Sequence, residues 1–112
     1  MADLTNRELI MRAAAHIERH GLAKREFYDS ERNPKKVDII GAFLTILLKD
    51  RLLADAYQDY DALMKGQLGE VSRRLCRVIG IPYDTGALFR WNDEETRTAA
   101  EVVAVMRNAA VQ

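Results

Sequence analysis

Two histidines, His16 and His20, are the residues of this chain best suited to metal binding or proton transfer. They lie four positions apart, so in a helix both imidazoles project from one side and can share a metal ion. A stable metal site needs a third ligand and usually a fourth, and no carboxylate or thiol follows at a matching spacing. His20 also fits the last turn of a helix, where a protonated imidazole interacts favourably with the helix dipole. We therefore predict no metal site and no cofactor.

Cys76, the only cysteine, is the candidate nucleophile. Arg73, Arg74 and Arg77 are its neighbours in sequence and could favour the thiolate form. A catalytic cysteine also needs a positioned base, and only the two histidines are available for that role. The chain contains no glycine-rich phosphate loop, no Gly-x-Ser-x-Gly turn and no His-Glu-x-x-His run. The sequence thus predicts a half-buried cysteine, no catalytic residue and a protein that is not an enzyme.

The same arginines form the most basic local patch, on a predicted helix that includes residues 70–79. An arginine-rich helix can act as a DNA recognition helix, and a basic loop could extend its patch. However, acidic residues alternate with basic ones in that loop, and 17 basic residues balance 17 acidic ones in the whole chain. DNA binding is therefore the alternative function rather than the preferred one. The patch is Arg73, Arg74 and Arg77, and the loop cations are Lys24, Arg25, Arg32, Lys35 and Lys36.

An acidic segment with tyrosines is the candidate surface for a protein partner. Tyrosines on a polar surface are favoured at protein contacts. Tyr60 also fits the apolar stripe of a predicted helix, so core packing competes with partner binding as the interpretation of that residue. The candidate partner surface is Tyr57, Asp59, Tyr60 and Asp61.

The composition is typical of one domain with a hydrophobic core. The chain has 112 residues, of which 48% are apolar, and we predict a single domain over residues 1–112. A lone cysteine fits a reducing compartment, and the start of the chain lacks a secretion signal. The longest apolar run, Ile39–Leu48, is too short to span a bilayer. These features predict a cytoplasmic protein that does not enter the membrane.

Helix signals recur along the chain and predict an all-α fold of about five helices. The first helix begins at the capping box Thr5-x-x-Glu8, in which side chains and backbone exchange hydrogen bonds. It should span residues 6–20 and end at Gly21 in a left-handed stop. Apolar spacing predicts the other helices, over residues 37–48, 52–64 and 68–79 and in the C-terminal quarter.

Two stretches leave their conformation open. Residues 23–36 are polar and hold turn signals, so they predict either a short β-hairpin around residues 25–37 or an irregular excursion. Ala87 to Trp91 is short and apolar, and it can be buried as helix or as strand.

The C-terminal quarter contains the clearest signals of secondary structure in the sequence. Thr98-x-x-Glu101 is a second capping box, and an apolar stripe at helical spacing follows it. Asp93 is an alternative start for this helix. Trp91, the only tryptophan, is predicted to be a buried anchor whose indole N–H meets a carbonyl, and the alternative is a ligand platform.

This quarter also holds a combination of residues that is informative as a whole. It consists of Trp91-Asn92-Asp93, Arg97-Thr98 and Glu101-Val102, with upstream positions at Ala13-Ala14, Ile17-Glu18, His20-Gly21, Gly41-Ala42 and Gly80. The combination resembles the signature of an uncharacterised family from actinobacteria and their phages, a domain of unknown function. The resemblance implies a shared fold and an actinobacterial or phage setting, and it implies no catalytic activity.

Taken together, these features predict a small non-enzymatic protein-interaction module. Its expected partner is another protein, or a second copy of the chain in a homo-oligomer. By analogy with the resemblance, a phage-encoded protein of this size would act on a host protein. Nucleic acid is disfavoured as a partner, and no membrane contact is expected.

Overall fold

The computed structural model describes residues 4–26, 33, 35–48, 60–84 and 86–112. Within these ranges the chain forms helices and no β-strand, which confirms the all-α class. The sequence predicts about five helices, whereas the described residues form six, because residues 87–92 are helical as well. The helices are α1 (Asn6–His20), α2 (Ile39–Leu48), α3 (Tyr60–Met64), α4 (Gln67–Ile79), α5 (Ala87–Asn92) and α6 (Ala99–Ala110).

Helix α1 has the predicted bounds. The Thr5 hydroxyl accepts a hydrogen bond from the Glu8 N–H at 3.1 Å, and the Glu8 carboxylate accepts one from the Thr5 N–H at 3.2 Å. Gly21 ends the helix with φ 98°, a value that favours glycine. Its ψ of 170° extends the chain, so the predicted left-handed stop is wrong at this position. The chain consequently leaves α1 in an extended conformation.

The β-hairpin predicted around residues 25–37 does not match the described part of that region. Leu22 and Val37 form an isolated parallel bridge, and the Ala23 N–H donates to the Val37 carbonyl at 2.8 Å. A hairpin would pair antiparallel strands. The parallel bridge instead places the end of α1 beside the start of α2. Residues 27–32 and 34 lie outside the described ranges.

Helix α1 lies at the centre of the core. It packs most extensively against α6 and then against α2. Its apolar stripe is completely buried, as the spacing of those residues predicts. Six of the ten residues of α2, from Ile39 through Leu44, are buried, so this part of the helix is enclosed on every side. The buried residues of α1 are Leu9, Ile10, Ala13, Ala14 and Ile17.

Helices α3 and α4 meet at Gly69, where only glycine fits. A Cβ atom at this position would lie 2.0 Å from the Met64 carbonyl oxygen. Helix α3 is the last part of the helix predicted over residues 52–64, and residues 51–59 are outside the described ranges. Helix α4 ends at Gly80 with φ 87° and ψ 29°, which confirms the predicted left-handed stop.

Candidate functional site

Asn92 is the centre of a polar clasp that fixes α5 to two other parts of the chain. Its side chain is 1% exposed. The amide oxygen accepts a hydrogen bond from the Ile39 N–H at 3.0 Å, and the amide nitrogen donates to the Ala23 carbonyl at 3.0 Å. Because both ends of the amide are used, its burial leaves no polar atom unsatisfied. Asn92 therefore joins α5 to the start of α2 and to the segment after α1.

The residues after Asn92 extend the clasp to the same segment. The Asp93 carboxylate accepts a hydrogen bond from the Arg25 N–H at 2.8 Å. The Lys24 ammonium donates to the carbonyls of Glu94 and Glu95 at 2.5 Å and 3.0 Å. Lys24, which the sequence places in the basic loop, is thus engaged inside the chain.

Trp91 lies under the guanidinium of Arg97. The central guanidinium carbon is 3.9 Å from the ring centroid, within the range of a cation–π contact. Arg97 also donates to the Trp91 carbonyl at 3.2 Å and pairs with Glu94 and Glu101 at 2.6 Å and 3.2 Å. Trp91 is partly buried and packs against the core, as an anchor does, while part of its surface remains exposed. The indole therefore has contacts with the core and with the guanidinium of Arg97.

Trp91 also lines a groove between the loop after α4 and helix α5. The groove has a volume of about 280 Å³, which is close to the lower limit for small-molecule pockets. We call it the Trp91 groove. Its apolar members are Ile81, Pro82, Ala87 and Trp91, and its charged members are Asp84, Arg90 and Glu94.

Each charged member of the Trp91 groove has a partner within the chain. Asp84 pairs with Arg90 at 2.6 Å, and Glu94 pairs with Arg97. The hydrogen bond from Arg90, followed by the one from the Gly86 N–H, holds the pKa of Asp84 below its ordinary value. The groove therefore combines an apolar lining with charges that are already compensated.

The predicted partner surface of tyrosines and aspartates is only partly described. Tyr57 and Asp59 lie outside the described ranges. Asp61 is exposed, whereas Tyr60 is half-buried against the core, and burial raises the pKa of its hydroxyl. Tyr60 thus follows the core-packing interpretation, and the Trp91 groove is the better-defined candidate surface.

The arginine patch lies on α4 as predicted, with unequal exposure. Arg73 and Arg77 are exposed and Arg74 is half-buried. The guanidinium carbon of Arg73 is 5.1 Å from the centroid of the Tyr83 ring, a cation–π contact with the loop after α4. One of the three arginines therefore has a structural contact of its own.

Cys76 is buried in the core rather than half-buried, with 1% of its surface exposed. Burial, with a smaller effect from the charge of Asp84, raises the pKa of its thiol. The neighbouring arginines thus do not produce a thiolate, because desolvation of the thiol is the larger effect.

His16 and His20 lie on one side of α1, as their spacing predicts. Their ring centroids are 4.5 Å apart. Nε2 of His16 donates to the Lys35 carbonyl at 2.7 Å, since a carbonyl can only accept. Among the residues that the structure describes, no three His, Cys, Asp or Glu side chains are grouped so that they could hold a metal ion.

One protein-family model matches residues 1–112, and it describes a family of unknown function, DUF6197. The chain belongs to this family. The predicted membership of a domain family of unknown function is thus confirmed over the whole chain. No curated protein and no solved structure matches the chain. Over the described part of this DUF6197 member, no helix is both long enough and apolar enough to cross a membrane.

Sequence reasoning identifies the clasp residues of this DUF6197 chain but not the groove beside them. Trp91, Asn92 and Asp93 stand out in the sequence, and the hydrogen bonds of Asn92 and Asp93 are made with segments more than fifty positions away. The groove depends on how the loop after α4 folds against α5, which no local pattern encodes. The one available signal is Ile81-Pro82, an apolar pair in a turn region close to the only tryptophan.

Proposed function

We propose that this chain is a small non-enzymatic protein-interaction module that binds an apolar segment of a second protein in the Trp91 groove. The observation that carries the proposal is the partly exposed Trp91 beside Ile81 and Pro82, in a groove whose charges are paired within the chain. Tryptophan and tyrosine are enriched among residues that dominate the energetics of protein contacts.

The pairing of charges around the groove supports an uncharged occupant. Asp84 and Arg90 compensate each other, and Arg97 compensates Glu94. A charged side chain entering the groove would lose hydration without gaining a free opposite charge. An apolar side chain loses no hydration energy and gains contact with the indole ring. The volume of about 280 Å³ suits one or two such side chains better than a cofactor.

Two further observations favour binding over catalysis. Burial raises the pKa of Cys76, which keeps the only thiol in its less reactive form. Tyr83, 37% exposed, lies next to Pro82 and extends the apolar-aromatic surface beyond the groove.

The resemblance to actinobacterial and phage sequences bears on the identity of the partner. If the gene is carried by a phage, the second protein belongs to the host and the contact takes place in the host cytoplasm. The alternative function, a DNA-binding accessory protein, has one supporting observation: Arg73 and Arg77 are exposed on α4.

The proposal is tested by affinity capture from an actinobacterial lysate with three matched baits. The first is the parent chain, and the second is Pro82→Arg, which places a charge in the groove at an exposed position. The third is Met11→Arg, the same kind of change at another apolar residue, 41% exposed on α1. We expect one protein to be retained by the parent and by Met11→Arg after nuclease treatment, and to be lost with Pro82→Arg.

Binding of the captured protein should then change the fluorescence of Trp91, measured with a tryptophan-free version of the partner segment. Retention on all three baits would reject the groove as the contact surface. Loss of the captured protein on nuclease treatment would favour the DNA-binding alternative. Self-association of the parent that Pro82→Arg abolishes, in analytical ultracentrifugation, would show that the occupant is a second copy of the chain.

A further inference from the structure

A second cavity lies along α1 and shares no residue with the Trp91 groove. Its volume is about 610 Å³, which is within the range of small-molecule sites. We call it the α1 cleft. Its lining includes the cationic or titratable Arg12, His16, Arg19 and His20, the acidic Glu18, and the apolar Ile46 of α2.

The two acidic groups of α1, Glu8 and Glu18, have partners of their own. The Glu18 carboxylate accepts a hydrogen bond from Arg107 of α6 at 3.0 Å. Glu8, one turn before Arg12, accepts the Thr5 N–H at 3.2 Å in the capping box of α1. Glu18 is therefore paired with Arg107 of α6, and Glu8 is held in the capping box, from which it still interacts with the charge of Arg12.

A loop adds further positive charge to the same place. His16 donates to the Lys35 carbonyl at 2.7 Å, which brings Lys35 to the edge of the cleft. The stem of Lys36 lies next to Gly21, at the end of α1. Burial and then the charges of His16, Lys35 and Arg19 lower the pKa of His20. Within the part of the chain that the structure describes, the groups that lower the pKa of His20 by their charge are basic, and α2 contributes the apolar Ile46 to the lining.

The sign of this charge selects the class of ligand. Two imidazoles at helical spacing suggest a metal ion, but a metal cation would be repelled by the arginines. Among the described residues the cleft offers a metal one carboxylate, Glu18, which is already paired with Arg107. An anion gains from every one of the same charges. Guanidinium groups match phosphate oxygens with paired hydrogen bonds, and several cations together favour a multivalent anion over a single carboxylate.

We propose that the α1 cleft binds a small multivalent phosphate-bearing anion, with Arg12 and Arg19 contacting phosphate oxygens and His20 protonated in the bound state. This site is independent of the Trp91 groove. His16 is held by its hydrogen bond to the Lys35 carbonyl, and the proposal assigns the contact with the anion, and with it the proton uptake, to His20. Uptake of that proton links binding to pH: affinity should fall as the pH rises through the range in which His20 loses its proton.

Calorimetric titration with inorganic pyrophosphate at slightly acidic and slightly basic pH tests the proposal. We expect binding that is tighter at the lower pH and an upward shift of the His20 pKa, measured by NMR of its ring, when pyrophosphate is present. Arg19→Gln should weaken binding by about tenfold, the size of one lost charge-assisted contact. The matched control is Arg7→Gln, which removes the same charge from an exposed position of α1 outside the cleft and should leave affinity nearly unchanged.

Thermal midpoints of both variants should equal that of the parent, because Arg7 and Arg19 are exposed. Equal weakening by Arg7→Gln and Arg19→Gln would overturn the proposal, since net charge alone would then explain the binding. Citrate binding tighter than pyrophosphate would overturn the assignment to phosphate chemistry. Binding of Zn²⁺ without any binding of pyrophosphate would restore the metal interpretation of His16 and His20.

Discussion

Asp38 is the residue whose environment has the clearest consequence for stability. Its carboxyl is 2% exposed and accepts the Gly41 N–H at 2.6 Å, which caps α2. Burial, with smaller effects from the charges of Asp93 and Glu26, raises its pKa from 3.8 to about 7. The hydrogen bond from Gly41 opposes this shift without cancelling it. A substantial fraction of Asp38 is therefore protonated in the folded protein near neutral pH.

The first prediction is that Asp38→Asn removes a loss of stability that the parent shows as pH rises. The folded state holds the Asp38 proton more tightly than the unfolded state, so its contribution is present at low pH and is lost between about pH 4 and 7. Above that range the charged carboxylate destabilises the fold by on the order of 4 kcal/mol. Asparagine can still cap the helix. Urea denaturation of both proteins across this range should show the variant as the more stable one at the upper end.

Subtracting the variant's free energy of unfolding from the parent's at each pH isolates the contribution of Asp38. Glu8 and Asp84 have lowered pKa values in the folded protein. They therefore stabilise the fold at pH values above their pKa in the unfolded state, which is the opposite direction to Asp38. Their effects are common to both proteins and cancel in the difference. A difference that stays constant from mildly acidic to neutral pH would mean that Asp38 titrates as an ordinary carboxylate.

The second prediction concerns Thr98. Its hydroxyl accepts the Glu101 N–H at 3.2 Å, and its own N–H donates to the Glu101 carboxylate at 3.2 Å. Thr98→Ala leaves the first turn of α6 without this acceptor and should lower the free energy of unfolding by about 1 kcal/mol. Thr98→Ser keeps the hydroxyl, so its free energy of unfolding should fall much less. Equal denaturation midpoints for Thr98→Ala and the parent would mean that the Thr98 cap does not stabilise α6.

At the scale of elements, the sequence predicts what local hydrogen bonds and periodicity determine. Both capping boxes form, and α1, α4 and α6 lie where their apolar stripes indicate. The short segment 87–92 could not be decided, since six residues fit a helix or a strand equally well. Its helical state depends on the clasp at Asn92, whose partners come from distant parts of the chain.

The errors have the same physical origin. The predicted hairpin rests on turn signals, whereas the observed parallel bridge between Leu22 and Val37 depends on packing of α1 against α2. Trp91 packs against the core as its type predicts, but the cation–π contact that Arg97 makes with its ring is not visible in the sequence. The Trp91 groove is not predicted for a similar reason, because it is lined jointly by the loop after α4 and by α5.

The third prediction is that Asn92→Ala destabilises the junction of α2 and α5. The substitution leaves the Ile39 N–H and the Ala23 carbonyl buried without their partner. Loss of such partners should lower the free energy of unfolding by about 3 kcal/mol. Hydrogen exchange should accelerate at the Ile39 amide in particular. Asn108→Ala, at an exposed asparagine of α6, is the matched control and should change stability by less than about 0.5 kcal/mol.

A small effect of Asn92→Ala would have a definite meaning. It would show that a water molecule replaces the amide, or that α5 relaxes away from α2 at little cost. Hydrogen exchange distinguishes these outcomes, because only relaxation of α5 exposes the Ile39 amide to solvent.

At the scale of the whole molecule, charge is balanced but unevenly distributed. The formal net charge is zero. Positive groups are concentrated in the α1 cleft and on α4, whereas the charges around the Trp91 groove are paired. A local cluster can attract a small anion, while a long polyanion also meets the acidic groups between the clusters.

The fourth prediction follows from this balance: the chain does not bind duplex DNA at physiological ionic strength. Non-specific binding grows with the number of phosphates neutralised and weakens steeply with salt. Arg73, Arg74 and Arg77 can supply only a few such contacts, and Arg73 already stacks on Tyr83. Fluorescence anisotropy with random duplex and with genomic fragments, across a salt series, should detect no sub-micromolar complex. Tight, salt-sensitive binding that a triple arginine-to-alanine variant loses, while keeping the parent's thermal midpoint, would establish the DNA-binding alternative, because the lost contacts could then not be attributed to unfolding.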